Sequence, residues 1–349
     1  MKEGRINLYS DTQTRPTQGM LEAMMSAVVG DEQNLADPSV NALCDRVAHL
    51  LGKEAAVFLP SGTMCNEIAL LVHCRPGDEV FAHESAHITN FEGGGPSALA
   101  GVHVSSLSGD RGIYSADALR AAIRPNSRYF PRAALVEIEN TANLAGGTVW
   151  SLDDLNAVVG VAKEHGLPIH MDGARLPNAV VASEINFAQI GALCDSVWID
   201  LSKGLGCPVG AVLTGTRSFI DDVWRWKQRI GGSMRQAGFL AAAGLYAFEH
   251  HIDRLADDHA NAKRLGDMLS AIDGVTLTPA AVETNIVFFD VSGTGIDASN
   301  ISAELEAQGI NIGAFTSTQM RAVTHLDVTA EQVEEAGQIF SDVVEKLRP

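Results

Sequence analysis

The chain has 349 residues, enough for one large and one smaller domain with a sizeable core. Hydrophobic residues make up 46% and charged residues 19%, the balance of a compact globular protein. Against 43 Asp and Glu stand 25 Lys and Arg, a net charge of −18 that repels phosphate backbones and anionic lipid. Nucleic acid and membrane surfaces are therefore poor partners, and an anionic ligand needs local arginines.

The start, "MKEGRINLYSDTQ", carries neither an apolar signal core nor a cleavage pattern. From about residue 54 to 215, short apolar runs alternate with helical patterns. The expected strands are 55–60, 79–83, 102–107, 133–139, 167–172, 196–201 and 210–215. Helices are expected between them at 63–74, 115–124 and 151–166. The last opens with Ser151 and has Asp154 three positions on, much like a capping box. Strand and helix in alternation predict an α/β fold with a mostly parallel sheet.

A helical stretch follows over 236–272, and its apolar segment 237–248 is too short to span a bilayer. Beyond it, "VTLTPA", "TNIVFFDV" and "INIGAF" alternate with two helices, the pattern of a small α+β domain. The expected division is a large domain over 1–250, N-terminal segment included, and a small one over 251–349. Five cysteines without a CxxC pair suit core positions in a reducing compartment, with no metal site, and point to the cytoplasm.

Ligands of an open parallel sheet bind beyond the carboxyl ends of its strands. Three stations there carry chemistry. Gly62 and Thr63 open a helix whose free N–H groups suit a phosphate, although taken alone the turn reads first as an ordinary N-cap by Ser61 or Thr63. Asp172 ends an apolar strand and needs a partner, either Arg175 or the cationic ring nitrogen of a cofactor. Ser202 and Lys203 follow the strand 196–201 at the same edge. An Asp, a Lys and a phosphate turn together are what pyridoxal phosphate requires: an amine to hold its aldehyde and an acid to keep its ring nitrogen protonated. "GLGCPVG" (204–210) is not a dinucleotide fingerprint, because a strand follows it instead of a helix.

With these residues in place, the chain resembles the L-threonine aldolase family of fold-type I pyridoxal-phosphate enzymes. The resemblance runs through "LYSDTQTRPT", "GKEAAVFLPSGTMCN", "AHITNFEGGG", "HMDGARLPNA", "SKGLGCPVG", "GGSMRQAG" and "RAVTHLD" in order. It implies an aspartate aminotransferase-like fold and cleavage of a threonine-like β-hydroxy-α-amino acid to glycine and an aldehyde. It also implies a homotetramer with active sites shared across a subunit interface. By the resemblance, Lys203 holds the cofactor, Asp172 pairs with its ring nitrogen and His87 stacks on the ring. Gly62, Thr63, Ser202 and Arg235 of a neighbouring subunit hold the phosphate, and Arg175 lies by the cofactor and substrate. Ser10 and Arg321 bind the substrate carboxylate, Arg321 as a bidentate partner. Without the resemblance, His87 reads as a polar loop histidine, as His83 does, and Arg321 as a solvated charge.

Three departures fall where a substrate side chain would be read. The family's ENTHN stands here as "ENTAN", so Ala142 replaces the histidine that contacts the substrate hydroxyl. Asn34 replaces an aromatic residue, with Leu35-Ala36 for Gly-Glu, and Ser233 interrupts a triple glycine. Ala142 is expected to leave room for a bulkier β-substituent, and the general base is unassigned. Two alternatives stand beside the aldolase. One is another reaction at Cα on the same scaffold (racemase, β-eliminating lyase or transaminase). The other is a silent member acting as a binding partner.

Overall fold

The computed structural model describes residues 5–348. Its strands are β1 (Ile6–Asn7), β2 (Ala55–Leu59), β3 (Glu79–His83), β4 (His103–Leu107), β5 (Ala133–Glu139), β6 (Ile169–Gly173) and β7 (Ser196–Asp200). They continue as β8 (Ala211–Gly215), β9 (Thr276–Leu277), β10 (Ile286–Asp290), β11 (Ile310–Asn311), β12 (Gly313–Ala314) and β13 (Gln319–Val323).

Seven strands form one sheet in the order β2-β8-β7-β6-β5-β3-β4. β7, β6, β5, β3 and β4 are mutually parallel, while β8 runs against both of its neighbours, β2 and β7. The inner strands are buried along their whole length, which is why they read as unbroken apolar runs instead of alternating ones. Helices cover both faces. On one, Phe58, Met171 and Val212 pack with Leu155, Leu176 and Ala241; on the other, Val57, Trp198 and Leu213 pack with Ile68 and Val223. Each helix ends where its sequence permits. Ser151 Oγ accepts the N–H of Asp154 at 3.0 Å and donates its own hydroxyl to the Asp154 carboxylate at 2.6 Å, so no capping box closes. The helix Gly238–His250 is apolar nearly all round and largely buried beside the helix Pro38–Leu50.

The second sheet is antiparallel, in the order β12-β13-β10-β9, and buries Val287, Phe289, Met320 and Ala322 against the helices Leu255–Ser270, Ala298–Ala307 and Ala330–Leu347. Its strand β13 lies within a stretch the sequence pattern does not distinguish as a strand. The chain's first strand joins this side: β1 pairs in parallel with β11, and Leu8 O accepts the N–H of Val323 at 2.8 Å. Residues 9–14 thus cross from the small sheet to the carboxyl edge of the large one, where Thr14 Oγ1 donates to Lys203 O at 2.9 Å. Among the described residues, no helix is long and apolar enough to cross a membrane.

Candidate active site

At the carboxyl edge of the large sheet lies a cavity of about 470 Å³, within the range of small-molecule sites. Its floor is the set of residues that end β5, β6 and β7: Glu139, Asp172 and Asp200. One wall is the first turn of the helix Gly62–His73, whose N-cap Ser61 accepts the N–H of Met64 at 3.2 Å. The opposite wall brings Arg321 from β13 and Phe315 from the small sheet. Gly62 is required by proximity: a Cβ there would lie 2.2 Å from the Trp198 ring, so the helix N-terminus approaches the sheet only without a side chain.

Asp172 is 1% exposed. Its oxygens accept from Asn66 Nδ2 at 2.9 Å and from the Ala174 N–H at 3.0 Å. Arg175 is not its partner. That guanidinium forms a bidentate pair with Asp11, both bonds 2.7 Å, so Asp172 borders the cavity with no cation in contact among the described residues. Asn66 is saturated: its Oδ1 accepts from Trp198 Nε1 at 2.7 Å and faces His170 Nε2 at 3.1 Å, while its amide also donates to Glu92 at 2.9 Å. Glu92 in turn lies 2.7 Å from His87 Nδ1. A chain of hydrogen bonds therefore connects Asp172 to His87 beneath the cavity.

The acids around this chain are crowded. Burial, followed by the Glu92 charge, lifts the Glu67 carboxyl to about 8. Burial and then Asp172 push Glu137 well up, and the same two causes take Glu139 to about 7 despite N–H bonds from Asn143 and His87. Burial lowers His170 to about 3, so its ring is neutral. Lys203 Nζ lies 3.2 Å from Asp200 Oδ2, and the other Asp200 oxygen accepts from the N–H and hydroxyl of Ser202 at 2.7 and 2.8 Å. Arg321 donates to Asn143 Oδ1 at 3.1 Å and stacks 4.9 Å from the Phe315 ring centre. Its Nε is buried without a partner, and burial with the neighbouring Arg175 charge lowers its pKa to about 10.

The cavity brings together Ser10, Gly62, Thr63, His87, Asp172, Arg175, Ser202, Lys203 and Arg321. Three expected residues stand elsewhere. Arg235 is 64% exposed and pairs with Asp31 at 3.1 Å, and the exposed Asn34 donates to the same Asp31. Ala142 is 2% exposed, outside the cavity lining, with its methyl so close to the Gly112 backbone that a Cβ on Gly112 would be 2.5 Å away. The room expected at Ala142 is filled by the Asp110–Gly112 turn. His83 is held by Ser85 at 2.7 Å, away from the cavity. The sequence reading missed Asn66, Glu92, Glu139, Asn143 and Asp200. Glu139 and Asp200 end strands just as Asp172 does, so the same rule applies to them; Asn66 gives no signal, being a polar residue on a buried helix face.

A family model described as β-eliminating lyase matches residues 7–292. The chain belongs to that family. In its threonine aldolase branch, the lyase is 41% identical to the low specificity L-threonine aldolase of Escherichia coli K12, over 95% of this chain and 96% of the relative. It is 31% identical to an alanine racemase of Cochliobolus carbonum, over 97% of this chain and 88% of that one. A threonine aldolase structure from Leishmania major shares the fold, with a TM-score of 0.84 at 21% identity, covering 97% and 99% of the two chains.

The family uses pyridoxal 5′-phosphate, and the lyase's residues fit it. Among the described residues, the Lys203 amine paired with Asp200, an acid at Asp172 with no cation against it and a helix N-terminus with no room for a side chain at 62 supply the three contacts such a group needs. Among the described residues, no cluster of three or more His, Cys, Asp or Glu is placed to hold a metal ion, and all five cysteines are free thiols.

Proposed function

We propose that this lyase cleaves a threonine-like β-hydroxy-α-amino acid to glycine and an aldehyde. The observation that carries the reading is Arg321. It is a guanidinium with a buried, unbonded Nε and, among the described residues, no carboxylate in contact, and it lines the same cavity as Lys203 and Asp172. A half-buried cation left without an acid is a site for the acid of a ligand. In this reading Arg321, with Ser10 beside it, takes the substrate carboxylate, and Asn143 spaces it from Arg175. Lys203 would hold the cofactor through its amine. Asp172 keeps the ring nitrogen protonated, His87 covers the ring, and Gly62, Thr63 and Ser202 hold the phosphate.

Held there, the cofactor would supply an electron sink that weakens one bond at the substrate Cα. The protein's part is to choose that bond by fixing the carboxylate at Arg321 and the amine at Lys203. A homotetramer in which Arg235 reaches a neighbour's phosphate suits the exposure of Arg235, and we place the enzyme in the cytoplasm. We divide the chain at about residue 250, the large sheet before it and the antiparallel sheet after it.

The test is glycine release by cofactor-loaded protein from L-threonine, L-allo-threonine, phenylserine and 3-hydroxyaspartate, with Lys203→Ala as control. Glycine from at least one, lost in the control, is the expected result. The racemase relative supports a second reading. Exchange of the Cα hydrogen of alanine for deuterium, with no glycine from any β-hydroxy acid, would decide for it.

A further inference from the structure

This inference rests on the aldolase reading. That reaction needs a group to remove the proton of the β-hydroxyl, and Ala142, which stands where the resemblance puts the histidine on that hydroxyl, cannot do so. The carboxylates around the cavity differ in how far they are already engaged. Asp11 holds Arg175 and accepts from Asn285, Asp200 faces Lys203 and Ser202, and Asp172 is fixed by Asn66 at the cofactor-nitrogen station.

Among the described residues, Glu139 has no cation in contact. Its Oε1 accepts the N–H of Asn143 and its Oε2 that of His87, both at 2.7 Å, and each oxygen keeps a second lone pair. The residue is 6% exposed and borders the cavity. It pairs in register with Asp172 across β5 and β6. Its two bonds place it between His87, over the ring, and Asn143, whose side chain touches Arg321. A substrate held at Arg321 and Lys203 spans that interval.

We propose that Glu139 is the general base that accepts the β-hydroxyl proton. The hydroxyl O–H bond breaks and its proton passes to a Glu139 oxygen. The O–H electron pair becomes the second bond of the aldehyde carbonyl. The Cα–Cβ pair stays with Cα, which then takes up one proton to give glycine. One proton leaves and one returns, so no further reactant is needed.

The charge environment suits the role. Burial first and then the Asp172 charge from β6 disfavour the Glu139 carboxylate, the N–H bonds from Asn143 and His87 favour it, and the balance lies at about 7. The sign is that of a raised acid: the base form prevails above about 7, and cleavage falls as pH drops below it.

Glu139→Gln in the cofactor-loaded enzyme tests the assignment. Three readouts are taken: the visible cofactor band, exchange of the glycine Cα hydrogen in deuterium oxide, and glycine release from the best-cleaved β-hydroxy acid. Exchange on glycine involves no hydroxyl. Release is expected to fall by at least about 10²-fold while the band and the exchange persist, and Glu139→Asp should recover part of the rate with an acid limb. If exchange and release fall together, Glu139 is only a brace for His87 and the proposal is overturned, as it is if release is unchanged. A wild type that exchanges glycine but cleaves no β-hydroxy acid overturns the aldolase reading itself, and this assignment with it.

Discussion

At the end of β7 the chain reads Asp200-Leu201-Ser202, and at the end of β10 it reads Asp290-Val291-Ser292. The local structure is the same in both. An aspartate Oδ1 accepts the serine N–H two residues on, at 2.7 and 2.8 Å, and the serine hydroxyl as well. The neighbourhoods differ. Asp200 is 6% exposed and turns its other oxygen to Lys203. Asp290 is more open, and its carboxyl is held below the usual range first by the Ser292 hydroxyl and then by the Ser292 N–H. A short stretch writes the turn; what the turn does is decided by residues the fold brings to it from far along the chain.

The largest way to sharpen that contrast is at the lysine. Lys203→Ala is expected to lower glycine release by at least about 10³-fold, because it removes the amine proposed to hold the cofactor. Asp200→Asn leaves Lys203 without its acid and should cost roughly 1–3 kcal/mol of apoprotein stability in urea titrations, besides slowing release. If neither stability nor release changes, the pair is incidental and the contrast fails.

Next comes Arg321, the charge the small sheet contributes. Arg321→Lys keeps the cation but loses the planar fork, and KM for the amino acid should rise about tenfold with kcat less affected. A fall in kcat alone would place Arg321 outside carboxylate binding.

Most of the large sheet was legible from sequence, because strands such as Val197–Ile199 are apolar throughout and are bounded by polar turns. The small sheet was less so. β13 alternates the cavity-facing, half-buried Arg321 with buried Met320 and Ala322, and the charge masks a strand of only five residues. Of the candidate site, the residues that follow strands could be found by one rule, and Lys203 and Asp172 were. Partnership could not. Arg175 lies three positions after Asp172 yet binds Asp11, because the chain's first residues are drawn across by the pairing of β1 with β11. Ala142 follows the same logic: the sequence shows a small residue, and only the fold shows that the Gly112 turn is packed on it.

A smaller effect tests the crowding of acids under the site. Burial and the Glu92 charge raise Glu67 from the usual range to about 8, so the folded state holds a proton that the unfolded chain releases near 4.5. Stability from this group is full below about 4.5 and is lost as pH rises through about 8. Glu67→Gln imitates the protonated acid. The Tm of the variant should match wild type at pH 5 and exceed it by about 2–4 °C at pH 9. An equal difference at both pH values would mean that packing, not the proton, separates them.

The smallest effect returns to Asp290. Its folded pKa is depressed, so its contribution is present above the ordinary carboxylate range and disappears as pH falls through it. Asp290→Asn keeps the shape of the turn and should change stability by no more than about 0.5 kcal/mol at pH 7, with glycine release unaltered. The two aspartates lie on different sheets with no shared partner, so Asp200→Asn and Asp290→Asn should add. A double variant less stable than that sum would mean the two sheets communicate through their turns, and the local design would then carry more than geometry.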